Sequence, residues 1–270
     1  KLKAIFNVES NFMDNMDYDY CFKKGIHVLA TSPVFAQPVA EMALGLTLSI
    51  ARSIHIAHSD FKNTKEKYGG KISHENFLLK NKTFGLIGFG DLATSLLPLI
   101  KPFSNNILAY DPLVPNLAIK KLGVKPTNLK NLLKKSEIIY VLASITSSSE
   151  GMIDSAKLKL IKPKATLVLM SRAAIINFKD LFRFLKRKKN YAAIDVFPIE
   201  PFPKNDPLRK LDNVIFSPHR AGALDEAFKE MGRIVIEDMH LILKGLPPRL
   251  CKIAKKETIK NLKPQSVNFN

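Results

Sequence analysis

Arg172, Glu200 and His219 are the residues of this sequence best suited to hold an anion and move a proton. Each stands just beyond a short apolar run: Leu167-Val168-Leu169-Met170, Ala193-Ile194-Asp195-Val196 and Val214-Ile215-Phe216. An imidazole, with an ordinary pKa of about 6.5, exchanges protons near neutrality. A neighbouring carboxylate favours its charged form and fixes the ring. A guanidinium holds a carboxylate through paired donors and polarises a ketone. Together these groups suit proton transfer at a hydroxyl or ketone beside a carboxylate. Singly, each has a plainer alternative: a loop histidine, a surface cation, a solvated glutamate. Their joint placement at the ends of successive apolar strands, where ligands bind in open α/β sheets, argues for a site.

Upstream lies Phe84-Gly85-Leu86-Ile87-Gly88-Phe89-Gly90-Asp91-Leu92-Ala93, an apolar strand, a G-x-G-x-x-A turn and the start of an apolar helix. Gly88 permits the tight turn, Gly90 lets the backbone approach a pyrophosphate, and Ala93 allows close helix–strand packing. The helix start, with Asp91 and Leu92, offers unpaired amides and a positive dipole end to phosphate. The Asp91 carboxylate then has to point away. Asp111 ends the next strand about 20 residues beyond Gly90, where an acid bonds the adenosine ribose. A carboxylate there repels a 2′-phosphate and favours NAD over NADP. The alternative is an ordinary glycine turn with Asp111 capping the next segment.

The elements that would position these groups are strands at Lys3–Phe6, His27–Ala30, Thr83–Ile87, Ile107–Ala109, Ile138–Leu142, Thr166–Met170, Ala192–Asp195 and Val214–Ser217. Helical periodicity covers Val39–His58, Leu92–Ile100, Asn128–Lys135, Phe178–Lys186 and Leu224–Leu243. In the last, Phe228, Met231, Val235, Met239 and Ile242 share one apolar side. Continuous apolar strands alternating with helices predict a doubly wound parallel sheet. Asp60–Asn81, polar around Tyr68-Gly69-Gly70, reads as a loop or protruding arm, and the tail from Leu246 as a loose surface segment.

Composition narrows the classes. A hydrophobic fraction of 46% over 270 residues supports a real core. The balance of 42 basic and 24 acidic residues gives +18, but the basic residues scatter, with short clusters only at Lys186–Lys189 and Lys252–Lys256. Without a nucleic-acid-binding motif beside it, that charge predicts no nucleic-acid partner, although it would favour anionic ligands. Cys21 and Cys251 form neither a disulfide framework nor a metal site, which fits a reducing, cytoplasmic compartment. No uninterrupted apolar run of membrane-spanning length occurs, so no membrane partner is expected. His55 and His58, at i and i+3, lack the companions of a metal site; His27, His74 and His240 stand without motifs. Ser147-Ser148-Ser149 reads as a polar loop without a catalytic role.

The segments around Arg172, Asp195–Pro201 and Ser217–Gly222 resemble the three signatures of the D-2-hydroxyacid dehydrogenase family. Val39-Ala40-Glu41 is similar to the start of its inter-domain helix and Asp14-Asn15-Met16-Asp17 to a preceding turn. The resemblance implies Arg172 as substrate-carboxylate ligand, His219 as acid/base and Glu200 as its partner. It places Asp195 near the nicotinamide carboxamide and Ala221-Gly222 beside the ring. It implies an NAD-dependent oxidoreductase acting on a small 2-hydroxy or 2-oxo acid, and a homodimer. The expected fold is a doubly wound Rossmann-type sheet with a second, partial substrate domain: residues 1–36, the cofactor domain over 37–223, and a returning helix and tail over 224–270. The family's preceding half of the substrate domain has no counterpart before Lys3, so the chain, lacking an initiator Met, reads as a fragment. A second function is an NAD-sensing corepressor-like protein. Departures from the pattern fall at Glu9-Ser10-Asn11-Phe12, Phe35, Ala173 and Arg220, the last a candidate for a second anionic group of the substrate.

Overall fold

The computed structural model describes all residues except 9–11, 13–14, 70–75, 188 and 261–270, and leaves the side chain of residue 258 undescribed. Residues 9–11 of the departing loop, Asp14 of the expected turn, Gly70 and His74 of the polar arm, and the end of the tail therefore lie outside the described residues.

Among the described residues ten strands are seen: β1 (Ala4–Asn7), β2 (His27–Ala30), β3 (Phe84–Ile87), β4 (Ile107–Tyr110), β5 (Lys125–Pro126), β6 (Ile138–Val141), β7 (Thr166–Leu169), β8 (Tyr191–Ile194), β9 (Val214–Phe216) and β10 (Lys252–Ile253). Seven make one sheet in the order β5-β4-β3-β6-β7-β8-β9, every pairing parallel. β3, β6 and β7 are buried throughout because their alternate residues feed two cores. Phe84, Leu86, Ile138, Tyr140 and Val168 face one; Ile87, Ile139, Val141, Leu167 and Leu169 face the other. A strand buried on both faces has no reason to alternate with polar residues. The order reverses between β3 and β6, the switch point at which a crevice opens beyond the strand ends.

Of the helices, α1 (Tyr18–Lys24), α2 (Ala36–Ala51), α3 (Ile54–Lys62) and α4 (Asp91–Ile100) lie in the first part of the chain. The periodicity over Val39–His58 continues through a break: Ser53 is left-handed, φ +50°. The break is set from a distance. The Ser53 hydroxyl donates to Asn76 Oδ1 at 2.7 Å, and the Phe77 amide donates to the Ala51 carbonyl at 2.9 Å. α2 packs along α4, burying Val39, Ala43, Leu46 and Ile50.

β1, β2 and β10 form a second sheet, β1 and β2 parallel and β10 antiparallel to β2. This corrects the expectation of a loose tail: Leu29 pairs with Ile253. The long helix that returns to this sheet, α5 (Asp225–Leu243), buries only part of the stripe its hydropathy predicts. Ile242 is buried and Met231 and Val235 pack against the core, but Phe228 is 55% and Met239 40% exposed, and Ala227, Ile234 and Asp238 are buried instead. The reason is Asp238, 0% exposed, whose carboxylate accepts the amides of Arg249, Leu250 and Cys251 at 2.7–3.1 Å. An acid so bonded can face inward.

Candidate active site

The turn after β3 has a steric cause. Gly88 adopts φ +90°, and a Cβ there would stand 2.5 Å from the Ala143 backbone, where the chain leaves β6. Gly90 is different: a Cβ would meet nothing within 4 Å, and Gly90 lines a cleft of about 980 Å³. α4 starts at Asp91 with no side-chain cap, so its first-turn amides face that cleft unused by the helix. The open surface at Gly90 and these amides fit a pyrophosphate.

Asp111 follows β4 directly and serves the turn itself. Oδ2 accepts the Phe89 amide at 2.8 Å, and Oδ1 accepts the amides of Leu113 at 2.8 Å and Val114 at 3.2 Å. The capping alternative is thus met in the structure. The carboxylate still lines the cleft, and Oδ2 retains a lone pair for a ribose hydroxyl. Asp91 points away from the turn amides to Lys252 Nζ, 3.1 Å distant. Leu92 lines the same cleft.

Arg172 follows β7. Its Nη1 donates to the Ser171 carbonyl at 2.8 Å, turning the guanidinium into the cleft. Burial lowers its pKa, and the charge of Glu200 opposes that shift. Glu200 rides on the loop after β8. Its Oε1 accepts the Phe197 amide at 2.8 Å, and its Oε2 accepts from His219 Nδ1 at 2.7 Å. The carboxylate being an acceptor, the ring proton sits on Nδ1, and Nε2 is the nitrogen whose proton can vary. Phe197 and Phe202, with ring centroids 4.6 Å apart, stiffen this loop.

Asp195 is nearly fully buried and builds the loop after β9. It accepts from Ser217 Oγ at 2.5 Å and from the amides of Arg220 at 3.0 Å and Ala221 at 3.3 Å. His219, held at φ +51°, donates its amide to the Asp195 carbonyl at 2.7 Å. Arg172, Asp195, His219, Ala221 and Gly222 all line the cleft. Gly222 is required by a neighbour, since a Cβ would come within 2.9 Å of the Phe35 ring. Arg220 is exposed and is not among the residues that line the cleft.

Residues read from the sequence without a role in the site complete the cleft. Thr146, Ser148 and Ser149 line it. The Thr146 amide donates to Ser149 Oγ at 2.8 Å, and Ser149 Oγ donates to the Ser144 carbonyl at 2.8 Å. Lys252 and Lys255 line it from the small sheet; in the sequence they read as one more basic cluster. His55 is tied to Ser49, Nδ1 to Oγ 3.4 Å, and burial lowers its pKa while Ser49 opposes. Among the described residues no three His, Cys, Asp or Glu side chains group as metal ligands.

Comparison with known proteins gives a consistent result. The family model for the D-isomer specific 2-hydroxyacid dehydrogenase NAD-binding domain matches residues 44–221. A D-3-phosphoglycerate dehydrogenase of Methanocaldococcus jannaschii is 34% identical over 238 residues, 86% of this chain and 44% of its own length. The chain thus spans less than half of that relative. A glyoxylate reductase of Thermococcus litoralis is 32% identical, over 93% of this chain and 77% of its own. The crystal structure of a phosphoglycerate oxidoreductase from Rhizobium etli superposes with a TM-score of 0.88 at 39% identity, covering 96% of this chain and 78% of its own.

Proposed function

The chain belongs to the D-isomer specific 2-hydroxyacid dehydrogenase family, and from that membership we propose that it reversibly oxidises a small D-2-hydroxy acid, or reduces its 2-oxo acid. The observation that carries the proposal is that His219, held by Glu200 at 2.7 Å, lines one cleft with Arg172 and the Gly88–Gly90 turn, Glu200 itself standing behind the ring and outside the lining. Bound NAD supplies the hydride acceptor in one direction and the donor in the other. Arg172 holds the substrate carboxylate and draws electron density from its C2 oxygen. His219, through Nε2, takes the hydroxyl proton during oxidation and returns it during reduction. Glu200 keeps the ring oriented and stabilises the imidazolium. Gly88, Gly90, Asp91 and Leu92 seat the pyrophosphate through backbone, Asp111 the adenosine ribose, and Asp195, Ala221 and Gly222 the nicotinamide end. The small sheet serves as substrate domain and the seven-stranded sheet as cofactor domain.

The proposed assembly is a homodimer in the cytoplasm. Supporting it, none of the described residues of α3 is buried, and Ile54, Ile56 and Phe61 on it are exposed. Ser32–Ala51 is long and apolar enough to cross a membrane, but half of it is buried and α2 packs into the protein core, which supports a core helix. Dispersed basic charge supports small anions over nucleic acid as partners.

The test is to follow the reduced-nicotinamide absorbance with NADH and a panel of 2-oxo acids. Turnover of at least one acid is expected. NADH binding with no turnover across the panel would overturn the enzyme reading in favour of the corepressor-like one.

A further inference from the structure

We propose that Lys252, on β10 of the small sheet, is a cofactor-positioning residue that transfers from Asp91 to the pyrophosphate when the dinucleotide binds. This rests on the NAD reading above. Lys252 Nζ lies 3.1 Å from Asp91 Oδ2, and Asp91 is the first residue of α4. Both line the cleft, as do Gly88, Gly90 and Leu92. A carboxylate at that place opposes a phosphate on the first-turn amides, both by repulsion and by occupying the cation that would serve it.

The pair is weak enough to exchange. Its side chains are 44% and 43% exposed, and exposed ion pairs contribute little because water screens them. A doubly charged pyrophosphate, held by helix amides at the same spot, outcompetes a single carboxylate for the ammonium. The position of Lys252 is nevertheless defined. Asp238 fixes the preceding amides of Arg249, Leu250 and Cys251, and the Lys252 backbone pairs with Ala30. The small sheet thereby places one of its own cations over the cofactor turn of the large one.

The experiment measures affinity for NADH, ADP-ribose and adenosine in wild-type protein, Lys252→Met and Asp91→Asn, with thermal melting as control. Lys252→Met is expected to weaken NADH and ADP-ribose about fivefold and leave adenosine unchanged. Asp91→Asn is expected to tighten the same two ligands about twofold. Both differences should shrink as salt is raised. If the ion pair is only a strut between sheets, the two substitutions shift binding in the same direction, and the proposal is overturned. Unchanged ADP-ribose affinity in Lys252→Met, or an equal loss for adenosine, overturns it while the NAD reading stands. Wild-type protein that binds neither NADH nor ADP-ribose overturns both.

Discussion

His219 Nδ1 lies 2.7 Å from Glu200 Oε2, although the two residues follow different strands, β9 and β8, and His219 sits at φ +51°. A non-glycine residue in that region is uncommon and is held there by its surroundings, here the loop bonded to Asp195. His219→Asn keeps a residue that tolerates the left-handed conformation and removes the proposed acid/base group. It should lower kcat by about 10³ with little change in melting temperature. Glu200→Gln should lower kcat by about 10². Steady-state kinetics and thermal melting check both.

Gly88 and Gly90 should fail differently when each is changed to alanine. Gly88→Ala forces a Cβ onto the Ala143 backbone at φ +90° and should destabilise the protein by about 3 kcal/mol or more. Gly90→Ala meets no protein atom within 4 Å. It should leave the melting temperature unchanged and weaken NADH binding about tenfold or more, read by fluorescence titration.

Arg172→Lys keeps a positive charge and loses the planar fork. It should raise KM for 2-oxo acids about tenfold or more while the NADH dissociation constant stays constant.

Asp238 has a signed pH dependence. Burial pushes its pKa up, but the amides of Arg249, Cys251 and Leu250 outweigh this and hold it below the ordinary 3.8. A depressed folded pKa stabilises at pH above the unfolded value, and the contribution is lost as pH falls through the folded value. Asp238→Asn should therefore cost about 3 kcal/mol near neutrality, and the gap to wild type should narrow as the pH drops below 3.8. Urea unfolding at several pH values measures it.

What the sequence discloses and what it hides divide along physical lines. The strands of the large sheet are legible because apolar runs such as Phe84–Ile87 and Ile138–Val141 are buried on both faces. The G-x-G turn and the three strand-end residues are legible because their backbone and chemistry demand particular residue types. β5 and β10, each two residues long, carry no period at all. The break at Ser53 is imposed by Asn76 and Phe77 from beyond the helix, which no local pattern encodes. Asp238 misleads a hydropathy reading because three amides, invisible in composition, let an acid face inward. Lys252 gains its meaning only from Asp91, a neighbour created by folding.

The small sheet joins β2, near the beginning of the described chain, to β10, near its end. All seven strands of the large sheet lie between them in sequence. During synthesis on the ribosome the large sheet can therefore close before β10 has emerged to pair with β2. The wall of the cleft that carries Lys252 is thus completed after the large sheet. A nascent chain stalled before Asp238 would carry the Gly88–Gly90 turn but not the Lys252 side of the cleft.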